Sequence, residues 1–310
     1  MTTNRLQKKI EEASRLKLEL EELAAKDGGY ASKLASFSMA SHIDDLAQQS
    51  AIEASATRFE HVELRLIAPK FSDGSAPLDL ISRLSDNIKH IVGYAALRLV
   101  RGGSLKKRIP RRLYQDLDLR MLGLLPGSSR MVISANSNRD VFDDGIAKGS
   151  LERIFRLLVT NGEGDEFLES VTDLGPQSSI WLRRLLDLII IENSELEMLW
   201  RYRGDVIFDW RANQRILTRL STALASTEVS VVDDLLIVGN VELLSKRERI
   251  HLLSNDGDRY KILYPKHLLS AVSELHLDQA VVLKCAVIET SNPLTKETKT
   301  SYELLKVVSQ

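Results

Sequence analysis

The chain has 310 residues, is 44% hydrophobic and 27% charged, and sets 42 Lys+Arg against 43 Asp+Glu. That length suits about two domains, the composition excludes wholesale disorder, and near-neutrality excludes a surface that coats nucleic acid everywhere, so any such binding must be local. The single cysteine, Cys285, excludes an intramolecular disulfide framework and suits a reducing cytosol.

The start, "MTTNRLQKKIEEASRLKLELEELAAK", is charged throughout and is not expected to be a signal peptide. No apolar run approaches the roughly 18 residues of a membrane span, so a cytoplasmic protein is expected. Residues 4–26 read as a helix, because Leu6, Ile10, Ala13, Leu16, Leu20 and Leu23 recur at spacings of three and four. Asp27-Gly28-Gly29 breaks it, and a second helical stretch runs through Leu34, Phe37, Ile43, Leu46 and Ile52. Residues 1–57 are therefore expected to form a helical hairpin or coiled-coil arm. Such an arm suits self-association or docking into a complex through residues 4–56.

From residue 60 the period falls to two. "HVELRLIAP" alternates Val62, Leu64 and Leu66 with Glu63 and Arg65, as a strand does. A helix over roughly 78–100 follows, with Leu80, Leu84, Ile88, Val92, Ala95 and Leu99 on one side. "LDLRMLGLLPGSSRMVISA" reads as two strands around Pro126-Gly127-Ser128. Helices are expected over 146–160 and 178–193 with the polar stretch "NGEGDEF" between them, then a hairpin turning at Gly204-Asp205 and a helix in "ANQRILTRLSTALA". Residues 58–227 are thus expected to form an α+β domain.

The last segment, 228–310, holds three strand-like runs, a short helix and two further strands. "SNDGD" is the hairpin turn between the second and third. That is the element order of an OB-like five-stranded small β-barrel, a fold whose strand 2–3 face binds oligonucleotides or oligosaccharides. The fold class expected is α+β, with an N-terminal helical arm, a central α+β domain and this C-terminal barrel.

Motifs of catalysis are sparse. The chain has no GxxxxGK[ST], no GxGxxG after a strand and no H-E-x-x-H. Cys285 lies mid-strand in step with Leu283 and Val287, the place of a small core residue. Asp143-Asp144 and Asp233-Asp234 would need a third acid to hold a hard cation, and otherwise serve capping and turns. No cofactor, metal or catalytic residue is assigned.

Positive charge is what stands out. "VRGGSLKKRIPRRLY" packs six cations into fifteen positions with no acid. With Arg98 from the preceding helix, the cluster over the loop 98–114 is Arg98, Arg101, Lys106, Lys107, Arg108, Arg111 and Arg112. A helix dipole accounts for the first of these only, since its influence fades within the last turn. A second set on the barrel comprises Lys246, Arg247, Arg249, Arg259 and Lys261. Local cations of this kind suit a phosphate backbone or an acidic protein partner. The three tryptophans, Trp181, Trp200 and Trp210, read as packing residues.

The run "VELRLIAPKF…APLDLISRL" followed by "LDLRMLGLLPGSS" resembles a loose group of uncharacterised bacterial proteins from genomic islands. In that group a strand, a helix and a Pro-Gly-Ser hairpin precede a C-terminal small barrel. The resemblance covers residues 60–135 and the barrel, carries no catalytic residues, and implies phage defence or mobile-element biology. The expectation that follows is a non-enzymatic binding or adaptor protein. The alternative is a metal-dependent nuclease or hydrolase whose acids come from distant segments.

Overall fold

A computed structural model describes residues 2–27, 29–55, 59–71, 75–103, 108–125, 129–136, 145–245, 248–293 and 295–309. The chain divides into two compact units, one of Met1–Ala76, Leu119–Asn136 and Glu197–Asp209, the other of Pro77–Asp118, Ser137–Leu196 and Trp210–Gln310. They interleave along the chain, whereas the sequence sets out three consecutive segments.

The first unit begins with α1 (Thr2–Asp27) and α2 (Tyr30–Ser55), which pack on one another as a hairpin. Ala13 and Leu46 are buried in the seam, and the Ser36 hydroxyl donates to Glu21 at 3.4 Å. Arg15–Glu19 and Lys17–Glu21, each one helical turn apart, brace the exposed side of α1.

The mixed-in strands form a five-stranded sheet. It comprises β1 (Phe59–Ile67), β2 (Arg120–Leu125), β3 (Ser129–Asn136), β4 (Glu195–Tyr202) and β5 (Asp205–Ala212), in the order β2-β3-β1-β4-β5. β1 runs antiparallel to β3, from Phe59 opposite Asn136 to Leu66 opposite Ser129. β2 runs antiparallel to β3 with a bulge between Met121 and Gly123. The expected alternation holds: Val62, Leu64 and Leu66 are buried, while Glu63 on the other face pairs with Arg130 at 3.3 Å and Arg201 at 3.1 Å. Glu60, fully buried, accepts the Trp200 indole N–H at 2.9 Å.

The second unit holds α3 (Leu78–Arg101), α4 (Arg111–Leu117), α5 (Ile146–Val159), α6 (Asp165–Leu174), α7 (Pro176–Ile191) and α8 (Gln214–Ser226). α3 packs against α5 and α7, and α7 against α8, through an apolar face that includes Leu84, Ile88, Ile91, Ala95 and Leu99. Asn213 starts α8 by accepting the Ile216 N–H at 3.0 Å. Two sequence expectations need correction. The stretch after "NGEG" is not a connection but α6, set between Gly164 and Gly175, both at positive φ. The cationic segment 98–114 is not one loop either: α3 holds Arg98, as expected, but runs on through Arg101, and α4 begins at Arg111 just after Pro110.

The barrel is closed, as expected from element order. Its strands are β6 (Glu228–Ser245), β7 (Arg249–Ser254), β8 (Arg259–Leu263), β9 (Ala280–Asn292) and β10 (Glu297–Ser309), in the order β10-β8-β7-β6-β9. The short α9 (Leu269–Ser273) stands between β8 and β9. The closing contact is parallel, with Tyr302 opposite Ile262 and Glu303 opposite Leu263. Val241, Ile250, Leu252, Ile262, Leu283, Cys285 and Leu304 fill the interior. α6 lies on β9 and β10, where the hydroxyls of Thr172 and Thr290 meet at 2.6 Å in a buried contact. Among the described residues no helix is long and apolar enough to cross a membrane.

Candidate nucleic-acid interface

The cationic cluster separates by position. Arg98, on the last turns of α3, has a side chain only 10% exposed and pairs with Glu303 of β10, itself 6% exposed. Glu303 also accepts the Gly103 N–H, which pins the start of the connection to the barrel. Gly102 makes that approach feasible: its φ is +73°, and a Cβ there would lie 2.1 Å from the Glu303 Oε1. Arg98 is therefore an internal ion pair and not part of an exposed cationic surface.

Beyond it the cations turn outward. Arg101, Arg108, Arg111 and Arg112 are exposed, and no ion pair to any of them occurs among the described residues. Lys106 and Lys107 lie outside the described residues. α4 is held against α3 at Gly93, where an added Cβ would come within 2.9 Å of both Ile109 and Tyr114. Tyr114 lies beneath Lys89, whose Nζ is 5.2 Å from the ring centre, and burial pushes its phenol up to about 12. With the buried Ile109, this anchor aims Arg111 and Arg112 at solvent on the first turn of a fixed helix.

Beside these cations runs a row that the sequence reading missed. The His90 ring of α3 stacks on Trp181 of α7, with centroids 4.1 Å apart and planes 11° apart. The Arg184 guanidinium sits 4.4 Å from the Trp181 ring centre, and Tyr94 lies 6.2 Å from His90. Tyr94 then joins Arg98, Gly102, Gly103 and Gln177 around a small cleft at the start of the cationic segment. Aromatic rings interleaved with guanidinium groups are what a nucleic-acid surface uses for bases and phosphates. Trp200 and Trp210, by contrast, are buried as expected, the latter donating its indole N–H to Asn161 at 3.1 Å.

The barrel cations have other work. Arg249 reaches Asp173 at 2.7 Å and Glu169 at 3.0 Å, both on α6. Lys261 and Lys299 reach Glu169 at 2.7 and 3.0 Å. Burial alone would raise the Glu169 carboxyl, but hydrogen bonds from the two lysines outweigh it and hold it at about 2. Arg259 and Lys261 are both exposed, and Arg259 pairs with Glu242 at 3.4 Å. Lys246 and Arg247 lie outside the described residues. Tyr260 and Tyr302 pack edge to face at 5.1 Å against the barrel core, so neither offers an open platform.

Asp234 pairs with Lys284 at 2.8 Å, and Asp143-Asp144 lies outside the described residues. Among the described residues no group of three or more His, Cys, Asp or Glu is arranged to hold a metal ion. Burial, helped by Glu303, pushes the Cys285 thiol up to about 12, which removes it as a nucleophile at neutral pH. No family model, curated protein or solved structure matches the chain.

Proposed function

We propose that this is a cytoplasmic, non-enzymatic binding or adaptor protein that holds nucleic acid by its phosphate backbone. The observation that carries the reading is the exposed set Arg101, Arg108, Arg111 and Arg112, free of acidic partners among the described residues and bordered by the Tyr94–His90–Trp181–Arg184 row. Phosphates bring counterion release at each such cation, whatever the base sequence. Arg98, Arg249 and Lys261 stay outside the interface, since carboxylates of the same unit already hold them. The helical arm serves association, and the likeness of residues 60–135 to genomic-island proteins suggests an accessory subunit in phage defence or mobile-element biology.

The test is a titration of the full chain against unrelated duplex and single-stranded DNA and RNA at low and moderate salt. Changing Arg101, Arg108, Arg111 and Arg112 to Gln together is expected to weaken all sequences about equally. Each lost contact flattens the slope of log K against log salt by about 0.7–0.9. Loss of an acidic protein partner with no change in nucleic-acid binding would assign the surface to that partner. No binding at low salt ends the nucleic-acid reading.

A further inference from the structure

We propose that the open edge of β6 pairs with the same edge of a second copy of this chain, antiparallel and around a two-fold axis at Asp233-Asp234, so that one sheet runs through both barrels. The proposal uses neither the cationic surface nor the helical arm. One side of β6 pairs with β9 along Glu228–Asn240, and the other side pairs with β7 only from Gly239 to Ser245. Among the described residues no strand pairs with that second side over Glu228–Val238. Backbone N–H and C=O groups face outward along it, and an extended backbone is what matches their spacing. Val231, Val232, Leu235, Leu236 and Val238 are 44%, 58%, 39%, 59% and 46% exposed there. The stretch has none of the lysines or prolines that keep such edges apart.

Self-matching makes a second copy the occupant. Residues 231–236 read Val-Val-Asp-Asp-Leu-Leu, so antiparallel copies set Val231 opposite Leu236 and Val232 opposite Leu235, as a two-fold contact requires. A bulge supplies the phase. In a regular strand residues 231 and 236 point to opposite faces, and a two-fold axis through the sheet would then set an upward side chain against a downward one. β6 takes an extra residue at Val232, so Val231 stands opposite Ile288 and Leu236 opposite Lys284, four positions apart on β9. The two side chains therefore share a face. Val229 and Val238, opposite Thr290 and Val282, share it as well and form the next pair. The register also fits the length of the edge, since it ends with Val238 and β7 takes over at Gly239. Like charges meet only at the axis, where Lys284 of each copy holds its own Asp234 at 2.8 Å.

Sedimentation of the full chain at micromolar concentrations is expected to show a dimer. Val231→Glu with Leu236→Glu should raise its dissociation constant by more than about a hundredfold. The circular dichroism spectrum should stay unchanged, because both side chains are exposed. Cysteines read the register without added charge. Val231→Cys together with Leu236→Cys should give a disulfide-linked dimer under a mild oxidant. Leu236→Cys alone should not, because its two copies would stand five positions, ~17 Å, apart. The native Cys285 is buried and stays out of the reaction. A dimer that survives the two glutamates runs through another surface and overturns the proposal, as does equal cross-linking by Leu236→Cys alone. A monomer at every concentration would leave the edge to a strand of another protein and overturn it too. None of these results touches the exposed arginines, so the proposed function stands or falls on its own titration.

Discussion

Arg98→Met tests the division of the cationic cluster. The change deletes a guanidinium whose side chain is 10% exposed and leaves Glu303, 6% exposed, without its ion-pair partner. Breaking one side of a buried pair costs about 3–5 kcal/mol, because the remaining charge stays desolvated. In a unit of this size that lowers the melting temperature by roughly 6–20 °C. Replacing both partners, Arg98→Met with Glu303→Leu, should recover most of the loss. The remainder is about 1 kcal/mol for the Gly103 N–H that Glu303 accepts. Urea unfolding followed by tryptophan fluorescence measures the cost, and the salt slope of nucleic-acid binding measures the alternative role. The expected result is a large loss of stability with the slope unchanged. Wild-type stability with a slope flattened by about 0.9 would place Arg98 among the phosphate contacts and refute the reasoning.

Two further outcomes follow from the barrel. Glu169 is held near 2 against an ordinary value of 4.5, so its contribution is complete above pH 4.5 and disappears as the pH falls toward 2. Glu169→Gln should lower the urea midpoint at neutral pH and flatten its acid limb, and an unaltered limb would count against the α6–barrel ion network. Gly239→Ala puts a Cβ 2.2 Å from the Leu253 carbonyl oxygen, and should cost about 3 kcal/mol or more. Gly257→Ala, with open space but a φ of +89°, should cost about 1 kcal/mol in the same melt. Equal losses at the two sites would refute the steric account.

The barrel was readable because β7 and β9 alternate buried and outward positions and the turn "SNDGD" carries standard hairpin chemistry. α6 was missed, although Phe167, Leu168, Val171 and Leu174 have helical spacing, because ten residues between two glycines resemble a connection. The pairing of β1 with β4 has no local signal, since it joins residues more than a hundred positions apart. The site divides the same way. Pattern alone shows where arginines gather, but not that Arg98 meets Glu303 or that Arg249 meets Asp173. The His90–Trp181 stack was equally hidden, because each half sits on a different helix.

The interleaving of the two units sets an order of events during synthesis. β1, β2 and β3 have all emerged by Asn136, yet the fourth and fifth strands of their sheet begin only at Glu195 and Asp205. At an elongation rate of about 5–20 residues per second, β1 waits roughly 6–26 s for β4. Throughout that interval one edge of the nascent sheet offers open backbone donors and acceptors. The helices α5, α6 and α7 are made in the same interval. The barrel is encoded in one unbroken stretch, so the longest gap between paired neighbours, from Ser245 of β6 to Ala280 of β9, is far shorter than that between β1 and β4.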